Sequence, residues 1–179
     1  MENEIVEKMK VVRIGILLSL LTLLFGFASG GFFGSSEDQI KDHLKDQAQA
    51  VFDTVYKGDS VNMKKVTDKS WVYLKRAHFH ANGLGAISLA AILLLMFMPG
   101  ALFIKKLTAI LLGLGSLGYS LFWMFAALKA PGLGSTGAAK EALAFLAIPS
   151  TGFCIIGLIA VFLIVLKTVC SSQKVSGSS

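Results

Sequence analysis

Four long apolar runs, residues 14–33, 77–98, 107–128 and 143–166, restrict what this chain can become more than any other feature. Each reaches the ~20 residues that a helix needs to cross a hydrocarbon core of ~30 Å at about 1.5 Å per residue. Backbone polar groups find no water at that depth, so a spanning segment is a helix or a strand of a closed barrel. Barrel strands would read as ~10-residue segments of alternating polarity, and these runs do not alternate. The expected class is therefore all-α: an integral membrane four-helix bundle, with four spans and both termini on one side. Only 16% of the residues are charged and the mean hydropathy is +0.69, which removes a soluble globule from consideration.

The polar segments divide the rest. Residues 1–13 form an N-terminal lead-in that mixes Glu2, Glu4 and Glu7 with Lys8, Lys10 and Arg13. The first apolar run ends in small residues, Ala28, Ser29 and Gly30, that would suit signal cleavage, but its length favours a retained span. Residues 34–76 are the extramembrane helical loop, with eight Lys or Arg and seven Asp or Glu. There Ser36 and Gln39 spell a capping box, and Ile40, Leu44, Val51 and Val55 recur at helical spacing up to Gly58, which predicts an amphipathic extramembrane helix between the first and second spans. Ser70 is the expected cap of the long helix that becomes the second span. Pro99 and Gly100 end that span, Lys105 and Lys106 mark a tight turn, and Pro149 is placed to kink the fourth span. Residues 167–179 read as a disordered tail.

The net charge of +6 comes from residues spread over loops and ends, with no aromatic-basic recognition motif, so the lipid bilayer and not nucleic acid is the partner it implies. The short basic flanks, Lys8, Lys10, Arg13, Lys105, Lys106 and Lys167, place the termini on the cytoplasmic side and residues 34–76 outside. Cys154 and Cys170, in one helix, would lie about 24 Å apart, too far for a bridge. Gly113, Gly115 and Gly118 spell G-x-G-x-x-G inside an apolar helix, with no strand before it. Close helix packing explains them better than a dinucleotide.

What remains for chemistry is the start of the second span, where His78, His80 and Asn82 stand at the membrane boundary. Residues two apart on a regular helix differ by about 200°, so His78 and His80 can share a metal ion only if the helix is irregular there. His80 is the expected inward-facing histidine. Met124, near the same end of the third span, is its first candidate partner for haem b or copper, with Asn82 beside them. A structural use weighs more: histidines at this depth hydrate a polar edge, and Trp71 and Tyr73 fit an interfacial aromatic belt. Ionisable groups near the membrane core nevertheless raise the weight of a functional reading.

The segment HFHANGLG, residues 78–85, resembles the H-x-H-x-N-x-L-G pattern of small bacterial multi-pass proteins likened to the haem-copper oxidase catalytic subunit. His78, His80, Asn82, Leu84 and Gly85 carry the match, and the further histidines of a haem-copper centre are absent. The resemblance implies a respiratory or nitrogen-oxide-related membrane setting, in the bacterial inner membrane. It supplies no oxidase mechanism. Two functions follow as expectations: an accessory or binding subunit of a membrane complex, with a haem, copper or quinone site at the outer rim, or a non-redox structural protein that packs against other subunits or as a homo-oligomer. No hydrolase, kinase or nucleotide motif points to an enzyme, and the lack of acidic residues within the spans weakens a transporter reading.

Overall fold

The computed structural model describes the backbone of residues 2–176 and the side-chain surroundings of residues 3–170. It is all-helical: α1 (Glu2–Ser35), α2 (Glu37–Gln49), α3 (Ser60–Phe97), α4 (Leu102–Leu133), α5 (Thr136–Ala142) and α6 (Ala144–Ser176). Four of these, α1, α3, α4 and α6, are long and apolar enough to cross a membrane, and the protein is a multi-pass membrane protein on that basis.

α4 is the centre of the assembly. It packs against α1, α3 and α6; α1 and α3 also pack on each other, α6 touches α3 at a few positions, and the α1 and α6 backbones do not approach closely among the described residues. Three helices are mutually packed, and α6 is laid mainly against α4, with Val161 reaching the core around Ile92 and Leu112. Half of the most apolar stretch of α4 is buried, 50%, against 11% for α6. Side chains such as Ile155, Ile159, Phe162 and Leu166 on α6 therefore face outward, where lipid tails solvate them.

The glycine motif explains how the helices reach this closeness. A methyl group on Gly113 would lie 2.7 Å from Leu18 Cβ and 3.0 Å from the Gly15 carbonyl oxygen of α1. On Gly115 it would lie 2.6 Å from Cys154 Sγ of α6, and on Gly118 it would collide with Ser150 Oγ. Gly15 in turn abuts the Ala109 carbonyl. Lipid tails are as apolar as leucine, so van der Waals contact between closely approaching backbones has to hold spans together. Small hydroxyls fill the same layer with their hydrogen bonds closed locally: Thr22 Oγ1 donates to Leu18 O (2.8 Å), Ser116 to Gly113 O (3.0 Å) and Ser120 to Ser116 O (2.8 Å). Ser88 Oγ crosses from α3 to the Leu112 carbonyl of α4 at 3.2 Å. On either side of this layer lie two apolar cores, one around Ile92, Leu95, Ala109 and Leu112, the other around Leu74, Phe122, Trp123 and Ala126.

Several local expectations are corrected. Ser36 precedes α2 but makes no side-chain cap; the chain bends there and runs on almost continuously, with the Ser36 N–H still bonded to Phe32 O at 3.0 Å. α2 stops at Gln49, short of Gly58, and turns follow it, with Lys57 and Gly58 both at positive φ. The long helix starts ten residues before Ser70, at Ser60, where Asp59 accepts the Asn62 N–H at 2.9 Å; Ser70 lies inside the helix, its hydroxyl bonded to Val66 O. Lys105 and Lys106 sit within α4, and the turn is formed by residues 98–101. α6 continues through Lys167 to Ser176; residues 177–179 of the expected tail lie outside the described residues.

The extramembrane residues form a small cap. Ala48, Tyr56 and Val66 pack with Ala130 of α4 and Ala139 of α5. Its bolt is Tyr56, whose hydroxyl donates at 2.7 Å to the Pro131 carbonyl, which also accepts the Gly134 N–H at the C-terminal end of α4. Burial pushes the Tyr56 phenol above its ordinary value near 10. A raised folded-state value means that the stabilisation is fully present below pH ~10 and is lost as pH climbs through the folded value. Tyr56→Phe is expected to cost about 1–2 kcal/mol and to remove an alkaline loosening of residues 50–59 that hydrogen exchange detects in the parent; an unchanged alkaline profile would exclude Tyr56 as its source.

Close approach makes a second prediction. Gly15→Ala drives a methyl group into the α4 backbone and is expected to destabilise by about 1–3 kcal/mol. Gly31→Ala, at a glycine with nothing within 4 Å of the added atom, is expected to be neutral or to stabilise by up to about 1 kcal/mol. Thermal melting of both variants in mild detergent measures the contrast.

Candidate functional site

The start of the second span is regular helix throughout, since α3 is uninterrupted from Ser60 to Phe97. Its histidines therefore serve different neighbours. His78 points at α1: its Nδ1–H donates to the Gly26 carbonyl at 2.8 Å, and its ring occupies the space beside Gly30 where a side chain would otherwise stand. His78 thus meets α1 within the first apolar run, residues 14–33. Asn82, one turn further on, sits against Gly26 with its Nδ2 3.3 Å from His78 Nδ1 and its buried Oδ1 without a protein partner. With the Nδ1 proton committed to Gly26, the Asn82 contact is packing more than hydrogen bonding.

His80 turns the other way, to α4. Its Nδ1–H donates to the Arg76 carbonyl one turn back at 2.8 Å, which leaves Nε2 with the lone pair. The ring lies edge-on to Tyr119 with centroids 5.1 Å apart, and nearly parallel to Trp123 at 6.0 Å. His78 is thus the inward histidine that joins two spans, and His80 stands on an aromatic shelf. The structure does not bring the two imidazoles to one point.

Nor does it bring Met124 to His80. Met124 lines a separate cleft of about 510 Å³ between α1 and α4, beneath α2. Phe25, Phe32 and Phe33 of α1 and Leu128 of α4 form its walls, Leu74 of α3 contributes from below, and Gln39 and His43 reach in from α2. His43, on the extramembrane α2, is therefore the histidine that shares a cavity with Met124. The Gln47 amide donates to His43 Nε2 at 3.1 Å, placing the ring proton on Nδ1 and leaving that N–H as a donor. The signal that could have found it is the spacing of Gln39 and His43, one turn apart beside the inward Ile40 and Leu44 of α2. The bend at Ser36, which swings α2 over the end of α1, had no such signal.

Tyr73 also departs from expectation. It is 2% exposed and packs edge-on against Trp123 at 4.8 Å, so it belongs to the core and not to a lipid-facing belt. Trp71 stays at the boundary, edge-on to Phe33, with Lys41 and Lys75 over its ring.

Comparison with protein-family models, with curated proteins and with solved structures found no match to this chain.

The two histidines are expected to separate in stability. His78→Ala removes an interhelical hydrogen bond and leaves a void beside Gly30, a loss of about 2–3 kcal/mol. His80→Ala, with its bond confined to its own helix, costs about 1 kcal/mol or less. Denaturation in detergent with a secondary-structure readout ranks them, and the reverse order would refute the assignment of His78 as the joint.

Proposed function

We propose that this multi-pass membrane protein is a binding subunit that holds one lipophilic, ring-bearing ligand of the quinone class in the cleft between α1, α2 and α4. The observation that carries the reading is the composition of that cleft: aromatic and aliphatic walls at the edge of the apolar spans, with Gln39 and His43 at the extramembrane end. Its volume lies within the range of about 300–1,000 Å³ typical of small-molecule sites. A quinone carbonyl needs hydrogen-bond donors, and the His43 Nδ1–H and the Gln39 amide are donors of the right kind. An isoprenoid tail needs an apolar exit, and the α1 and α4 walls run into the bilayer. The respiratory, bacterial inner-membrane setting implied by residues 78–85, the cytoplasmic termini and the accessory role in a larger complex are parts of the same proposal.

A second reading, a non-redox protein that packs against partner subunits, is favoured by the use of His78 as a helix–helix joint. The two are separated by purifying the protein from its membrane, extracting it with organic solvent and measuring quinone in the extract. About one quinone per chain is expected, lost in His43→Ala and in Met124→Trp, which fills the cleft, and retained in His80→Ala. An extract without quinone, together with no saturable uptake of added short-chain quinone, would leave the second reading standing. A Soret band or stoichiometric copper would instead return the function to haem or copper.

A further inference from the structure

Arg76 and His80 stand one turn apart on α3, on the side turned to α4, away from the cleft. The Arg76 guanidinium carbon lies 4.9 Å from the centre of the Trp123 ring and 5.4 Å from that of Tyr73. Stacking engages the flat face of a guanidinium and leaves its N–H donors in the plane for a ligand. Among the described residues Arg76 makes no ion pair, although seven carboxylates lie in residues 34–76; the acidic groups that are paired there, Glu37 and Asp68, hold Lys41 and Lys64. Beside it, His80 is oriented by its bond to the Arg76 carbonyl and braced by Tyr119 and Trp123, with Nε2 uncommitted. The depth of this shelf is set by the sequence. Arg76 is the last charged residue before residues 77–97, which contain no Asp, Glu, Lys or Arg. An unpaired, half-stacked arginine at that level, with a histidine one turn below it, is placed where phospholipid phosphates lie.

From this arrangement we propose that Arg76 and His80, on the floor formed by Tyr73, Tyr119 and Trp123, are a binding site for a phosphate group, supplied by an anionic phospholipid headgroup. The guanidinium donates two parallel N–H bonds to the two free phosphate oxygens, and the His80 Nε2 lone pair accepts from a headgroup hydroxyl. Lys75 is the natural control: it is adjacent in sequence, but its ammonium lies over Trp71, 5.8 Å from the ring centre, on another side of the helix.

The protein has two tryptophans, so Trp71→Phe leaves Trp123, the floor of the site, as the only tryptophan, which excitation beyond the red edge of tyrosine absorption selects over the tyrosines. The full-length protein in neutral detergent is titrated with short-chain phosphatidylglycerol, with phosphatidylcholine and with inorganic phosphate. A saturable change in Trp123 emission is expected with phosphatidylglycerol. Its half-saturation concentration rises about tenfold in Arg76→Gln, the loss of one charge-assisted pair. The rise is smaller in Arg76→Lys, which keeps the charge without the planar fork, and absent in Lys75→Gln. A response to inorganic phosphate that competes with the lipid supports the phosphate chemistry and shows that a free anion also enters; a response to the lipid alone assigns the site to the headgroup. No saturable response to either, or an equal weakening by Lys75→Gln, overturns the proposal in favour of diffuse surface charge. The titration does not depend on quinone binding in the separate cleft.

Discussion

Close backbone contact between spans is the constraint on which the rest of this molecule depends. In water a helix pair gains by burying apolar side chains, but in a bilayer that gain is nearly absent, and the helices must interlock to prefer each other over lipid. α4 does this on two faces at once, meeting Gly15 of α1 through Gly113 and Ser150 and Cys154 of α6 through Gly118 and Gly115. Because those contacts are made with backbone atoms and short side chains, they fix the separation of the helices as well as their attraction. The positions of every larger side chain near the boundary follow from that separation.

The same economy governs the polar groups inside the membrane. Thr22, Ser116 and Ser120 bond back to carbonyls of their own helices, so their cost in hydrocarbon is met without a partner element. Ser88 and His78 reach across instead, Ser88 to the Leu112 carbonyl of α4 and His78, through its ring proton, to the Gly26 carbonyl of α1. That bond is possible because Gly26 and Gly30 have no side chains, and it turns a residue with the reputation of a ligand into a joint.

Towards the extramembrane end larger residues fill more of the space between the spans, His78 and Asn82 against Gly30 and Gly26 among them. There the bend at Ser36 swings α2 across the end of α1, Tyr56 ties the following turns to α4, and the cap so formed roofs the cleft. The two proposed sites occupy different sides of this boundary region. One is an apolar cleft with donors at its mouth, and the other is an arginine and a histidine on an aromatic shelf. A membrane boundary supports both, because each presents one polar and one apolar end to a solvent that changes from water to lipid over a few ångströms.

The sequence by itself determined the number of spans and the helical class, because continuous apolar length and the need to satisfy every backbone group in lipid leave no alternative. It also determined that Gly113, Gly115 and Gly118 are packing residues, and that His78 and His80 face different ways if the helix is regular, since both follow from helical period alone. Only the tertiary structure decided which histidine meets which neighbour, that Met124 shares its cleft with His43, and that Tyr73 is core. These depend on the rotation of each helix about its axis and on where α2 lands after Ser36. Helix rotation is set by the sum of many small contacts between segments far apart in sequence, such as Gly26 with His78 or Trp123 with Arg76, and no local pattern encodes that sum.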